Sequence, residues 1–143
     1  MIYKSNSAKE TENIAKAFAK TLKSGDVVLL NGDLGVGKTV FTAGIAKGLG
    51  VEEYISSPTF TIVNCYNGTL PLYHFDVYRI SDSDEMYDIG FDEYISGDGV
   101  AVIEWAEIIR DILPDSRYEV VITKNLDISE DFREISIEKR GKK

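Results

Sequence analysis

The chain has 143 residues, a formal net charge of −8, 43% apolar residues and 28% charged residues. That balance excludes a disordered chain and fits one domain over residues 1–143. The acidity argues against a protein that grips nucleic acid by itself, because such binding needs Lys and Arg against phosphates.

Ser7 and Glu10 form an S-x-x-E capping box, and Ile14, Phe18 and Leu22 follow at four-residue spacing. Together they predict a helix with one apolar stripe, ended by Ser24-Gly25. "DVVLL" (Asp26 to Leu30) is a short β-branched run, the pattern of a strand buried on both faces. After the glycine-rich segment that follows, Phe41, Ile45 and Leu49 share a helical face, and Gly48 and Gly50 close the helix. "SPTFTIVNCY" (Ser57 to Tyr66) begins at a proline turn and continues as a strand. Asn67-Gly68 is a hairpin signal joining it to "LPLYHFDVYR". Alternation there puts Tyr73, Phe75 and Val77 on one side and His74, Asp76 and Tyr78 on the other.

"SDSDEMYDIGFDEYI" reads as a loop entering a short helix. "VAVIE" (Val100 to Glu104) is a second buried strand ending in a carboxylate, and "WAEIIRDIL" is helical up to Pro114. "RYEVVIT" and "FREISIEK" alternate and form a closing antiparallel pair. The sum is an α/β fold of P-loop NTPase type, three-layered, with a mostly parallel central sheet and antiparallel edge hairpins. Cys65 is the one cysteine, so no internal disulfide forms; it reads as a small core residue. A reducing, cytoplasmic setting follows, with no leader pattern and no apolar stretch near the ~20 residues that span a bilayer.

Gly32 to Thr39, "GDLGVGKT", matches G-x-x-x-x-G-K-[ST] at every fixed position, between a buried strand and a helix. Main-chain N–H groups of such a loop turn inward on phosphates, and the helix N-terminus adds donors and partial positive charge. Gly35 and Gly37 let phosphate oxygens approach the backbone, Lys38 reaches the β- and γ-phosphates, and the Thr39 hydroxyl ligates Mg²⁺. A metal–nucleotide site also draws an acid from a neighbouring strand end, and Glu104 and Asp76 both qualify. For each, the competing reading is a surface acid after a strand. His74, the only histidine, divides evenly between a structural and a functional role. Trp105, the only tryptophan, reads as core or as an aromatic wall beside a nucleotide. A guanine-recognition N-K-x-D segment is missing; "TKNLD" only scrambles it.

The ordered blocks "GDLGVGKT", "SPTFTIVNCY", "YHFDVYR" and "VIEWAE" resemble the bacterial TsaE (YjeE) family of small P-loop ATPases, over roughly Ser7 to Pro114. The resemblance implies a Mg²⁺-dependent ATP hydrolase, slow alone, needed to make N6-threonylcarbamoyladenosine in tRNA. It would bind ATP or ADP and regulate or reset a TsaD–TsaB transferase, touching tRNA only through that complex. Carried over by motif, Gly35, Val36, Gly37, Lys38 and Thr39 wrap the phosphates. Glu104 becomes the magnesium-side acid, Asp76 positions metal or water, and Thr59 senses the γ-phosphate. Trp105 lies near the nucleotide, and the helix start from Ser7 to Thr11 borders the adenine. Val40 departs from the Thr or Ser frequent in the family, leaving a backbone N–H for the α-phosphate. Arg79 fits a cis arginine or a structural ion pair equally. The alternative class is a small-molecule phosphotransferase.

Overall fold

The structure is a computed structural model and describes residues 1–32, 37–56, 62–78 and 80–141. Expectations resting on Gly35, Val36, Thr59 and Arg79 lie outside the described residues.

Ser7 caps the first helix, α1 (Ala8–Ala19), its side-chain oxygen accepting the Glu10 N–H at 3.1 Å. Glu10 Oε1 accepts the N–H of Asn6 at 2.9 Å, one residue further out than the usual box. The buried stripe runs through Thr11, Ala15, Phe18 and Ala19, so Ile14 is only half-buried. The helix stops before Leu22, which is buried from the following turn.

Seven strands form one sheet: β1 (Ile2–Ser5), β2 (Val27–Asn31), β3 (Val63–Tyr66), β4 (Leu72–Asp76), β5 (Val100–Glu104), β6 (Arg117–Lys124) and β7 (Arg133–Arg140). Their spatial order is β1-β7-β6-β2-β5-β4-β3. The four middle strands β6, β2, β5 and β4 are mutually parallel, and the pairs β1/β7, β6/β7 and β3/β4 are antiparallel. This is the expected α/β architecture. Strands β2 and β5 are buried on both faces, which explains why they read as unbroken apolar runs.

One face of the sheet packs α1 and α2 (Lys38–Gly48) through Phe18, Phe41, Ile45, Val28, Leu30 and Val102. The other carries the short helices α3 (Asp84–Asp88) and α4 (Phe91–Ile95) and a 3-10 helix, Ala106–Ile112, over Phe75, Phe91, Ile103 and Ile109. Two helices therefore replace the single one expected after Ser81. Gly90, left-handed at φ 77°, divides them.

As expected, α2 closes at Gly48 and Gly50, and Gly48 also serves a helix crossing. It is the last residue of α2, and a Cβ there would lie 2.5 Å from Ala19 Cβ and 2.6 Å from Lys16 O. Gly44, one turn earlier, would meet Glu12 O at 2.5 Å and Ala15 Cβ at 2.6 Å. Both glycines let α1 and α2 touch backbone to backbone, and Gly50, at φ 79°, makes the left-handed exit. The hairpin between β3 and β4 uses a five-residue connection, 67–71, longer than a two-residue Asn-Gly turn. Cys65 is exposed, contrary to the core expectation, because β3 is the outermost strand of its edge. Strand β1 was not foreseen; its four residues are too few for a clear alternation, and it is held by pairing with β7. Among the described residues no helix is long and apolar enough to cross a membrane.

Candidate nucleotide site

Strand β2 ends at Asn31 in the middle of the sheet, and α2 starts at Lys38 above the same edge. Gly37 caps α2 with φ 104°, a conformation that disfavours any residue with a Cβ. Among the described residues, none comes within 4 Å of the space a Cβ would enter there, no side chain caps this helix, and no acid lies in its first turn. Its leading N–H groups therefore suit an anion. Phe41 and Ile45, fully buried, fix the helix to the sheet; each such side chain contributes about 1.5–3 kcal/mol.

Lys38 is 7% exposed, and its Nζ lies 3.8 Å from Glu104 Oε1. The same ammonium sits 4.0 Å from the centroid of the Trp105 ring. Glu104 is 4% exposed, and its other oxygen, Oε2, is 2.6 Å from His74 Nε2. Strand register puts Asp76 directly beside Glu104. Paired residues point to the same face, so His74, Asp76 and Glu104 all face the α1–α2 side, where Lys38 arrives. Asp76 Oδ1 accepts the Tyr78 N–H at 3.1 Å. Burial pushes the Asp76 carboxyl above the usual aspartate range, and the neighbouring Glu104 charge adds to this. The Tyr78 N–H, His74 and Lys38 oppose that rise.

Trp105 follows Glu104 in the left-handed region, at φ 63°. For a bulky residue this costs of order 1–3 kcal/mol and is held by its surroundings. Its ring is contacted by the Lys38 ammonium and by Tyr78, whose ring centroid is 4.9 Å away. Trp105 is thus an aromatic wall and also packs on the core. Thr39 is exposed in the first turn of α2.

A cavity of about 200 Å³ opens beside this helix start, lined by Ser7, Thr11, Gly37, Val40, Asp131 and Arg133 among others. That is the space of roughly seven liquid waters. Thr11 is itself buried, its hydroxyl 2.7 Å from that of Ser5. Asp131 and Arg133 had no signal in the sequence. They come from the β6–β7 connection and the start of β7, brought here by strand pairing. The structure therefore gathers Lys38, Asp76, Glu104 and Trp105 in one cluster and Thr11, Gly37 and Val40 around the adjoining cavity. It also adds His74.

The residues present fit a nucleotide's phosphates: a left-handed glycine, an uncapped helix start and a buried lysine stand together. They also fit magnesium in one particular way. Among the described residues no three His, Cys, Asp or Glu side chains form a metal cage. Mg²⁺ is ordinarily held by one or two protein oxygens together with phosphates and water, which Thr39, Glu104 and Asp76 suit.

The model of the family "Threonylcarbamoyl adenosine biosynthesis protein TsaE" matches residues 5–134. The chain belongs to the TsaE family. The match continues past Pro114, further than the sequence blocks alone suggested. The tRNA threonylcarbamoyladenosine biosynthesis protein TsaE of Bacillus subtilis (strain 168) is 52% identical over 128 residues, covering 89% of this chain and 78% of the relative. The protein of the same description from Treponema pallidum (strain Nichols) is 43% identical over 133 residues, covering 93% and 96%. The crystal structure of Bacillus subtilis YdiB superposes with a TM-score of 0.81 at 44% identity, covering 99% of this chain and 86% of that one. In this TsaE family chain the start of α2, the H-x-D strand β4 and the E-W end of β5 meet at the same end of the sheet.

Proposed function

We propose that this TsaE family member is a Mg²⁺-dependent ATP hydrolase in the biosynthesis of tRNA threonylcarbamoyladenosine, using hydrolysis to regulate or reset a TsaD–TsaB transferase. Family membership supports the pathway. The observation that carries the nucleotide reading is the buried Lys38–Glu104 pair where the start of α2 meets the end of β5.

Bound Mg²⁺ would neutralise phosphate charge in the transition state. The chain's own residues divide the remaining work. Gly37 and the first N–H groups of α2 bind phosphate oxygens. Lys38, held between Glu104 and Trp105, moves its ammonium to the outer phosphates. Thr39, Glu104 and Asp76 present oxygens to the metal side, and Glu104 or Asp76 orients the attacking water. Gly35, Val36 and Thr59 complete the phosphate and γ-phosphate contacts in this reading. Val40 offers its backbone N–H to the α-phosphate. The cavity at Ser7, Thr11 and Arg133 receives the base and ribose.

ATP hydrolysis by the purified chain, alone and with TsaB and TsaD, tests the proposal, with Lys38→Ala as control. Slow turnover raised by the partners and lost in the variant is expected. Undiminished nucleotide affinity in Lys38→Ala would overturn the phosphate site. A phosphorylated small molecule as product would replace the hydrolase by a phosphotransferase.

A further inference from the structure

We propose that His74 is a positioning residue: through Nε2–H it holds the Glu104 carboxylate in the orientation needed for turnover, and it touches neither nucleotide nor metal itself. This rests on the hydrolase reading above.

His74 is 0% exposed, on the middle strand of three, with β3 on one side and β5 on the other. Its Nε2 lies 2.6 Å from Glu104 Oε2, a short contact of the kind made when one partner is ionised. Its Nδ1 is buried without a hydrogen-bond partner among the described residues. These two facts together choose the tautomer. With the proton on Nδ1, a donor would be stranded in the core, and the bare Nε2 would face a carboxylate lone pair. With the proton on Nε2, one strong hydrogen bond forms and only a weaker acceptor is left unpaired.

The Glu104 carboxylate is then gripped at both oxygens, by Lys38 at 3.8 Å and His74 at 2.6 Å. The two grips are unequal. Lys38 is long, flexible and the group expected to serve phosphates. His74 is rigid, short and buried, and it has nowhere else to point. Whenever Lys38 engages a phosphate, His74 is what keeps Oε2 fixed and leaves Oε1 free to act. Its one satisfied nitrogen is spent on the carboxylate that ends β5, the same group that Lys38 meets.

Because His74 is the only histidine, ¹⁵N-histidine labelling reports one imidazole. The folded chain should show a hydrogen-bonded Nε2–H, and a Glu104→Ala variant should lose that hydrogen bond. In parallel, His74→Leu removes the donor at similar volume, and His74→Gln restores an N–H at about the same reach. His74→Leu should lower kcat for ATP hydrolysis by about 10–100-fold, the usual cost of losing a group that orients a metal-side ligand. Its ADP Kd should stay within a few-fold of wild type, and His74→Gln should recover most of the rate. A ring protonated at Nδ1, wild-type kcat in His74→Leu, or equal loss of ADP affinity and rate in both variants would each overturn the proposal. A wild-type chain that hydrolyses no ATP, alone or with TsaB and TsaD, overturns the hydrolase reading instead. The imidazole spectrum then still decides whether His74 holds Glu104.

Discussion

Lys38 and Glu104, on different elements and 66 positions apart along the chain, bring their charges to within 3.8 Å in a site almost closed to water. Removing one partner of such a pair leaves the other charge buried, which costs at most about 3–5 kcal/mol. His74 remains beside Glu104, so the loss in Lys38→Ala should fall short of that. Nucleotide affinity should drop roughly 30-fold or more, as expected when a charged group loses its counterpart. The double variant Lys38→Ala/Glu104→Gln should regain stability without regaining nucleotide affinity. Urea denaturation and ADP titration of the two variants beside wild type check both halves.

Asp76 should be a residue kept at a cost to the fold. Its carboxyl is raised by burial, so the folded chain holds this proton more tightly than the unfolded one. Its effect on stability is therefore most favourable below the ordinary aspartate range and is lost as pH rises through the raised value. Asp76→Asn removes that slope. The variant's Tm should match wild type in acid and exceed it at neutral pH, while ATP turnover falls. A Tm difference that shrinks with rising pH would contradict the assignment.

Gly44 should resist alanine, against the helix propensity scale. An exposed helical Gly→Ala change gains about 1 kcal/mol. At Gly44 the new methyl would lie 2.5 Å from the Glu12 carbonyl oxygen, and backbone cannot step aside cheaply. Overpacking of this kind costs about 1–3 kcal/mol. Gly44→Ala should thus lower the urea midpoint, with α1 and α2 forced apart.

Trp105 supplies an optical readout, since it is the only tryptophan and Lys38 sits 4.0 Å over its ring. A nucleotide that draws the ammonium away should change its emission. ADP titration should give a saturable fluorescence change in wild type and none in Lys38→Ala.

Much of this was legible in the sequence for physical reasons. Buried parallel strands β2 and β5 have to be apolar along their length, so "DVVLL" and "VAVIE" announce themselves, and Glu104 stands out as the break in such a run. Gly37-Lys38-Thr39 is legible because a tight backbone approach admits few residues. His74 was undecided because its role depends on strand register, which only pairing of β4 with β5 supplies. Asp131 and Arg133 were illegible because long-range pairing of β7 carries them to the cavity. Gly48 was legible as the end of α2, but its part in the crossing with α1 was not, because a helix stop and a helix crossing ask for the same residue.

The sheet order has a consequence for how the chain comes together. Strand β7 lies between β6 and β1, so the earliest strand synthesised has no neighbour until the latest has emerged. Met1 Nα even donates to the Ile137 carbonyl, 136 positions away, at 2.9 Å. Contacts of such span close late and slow the search. Strand β5, which bears Glu104, can pair with β2, and β4 with β5, well before that moment. The half of the sheet that carries Glu104, His74 and Asp76 is free to assemble early, and the pairing of β1 with β7 comes last.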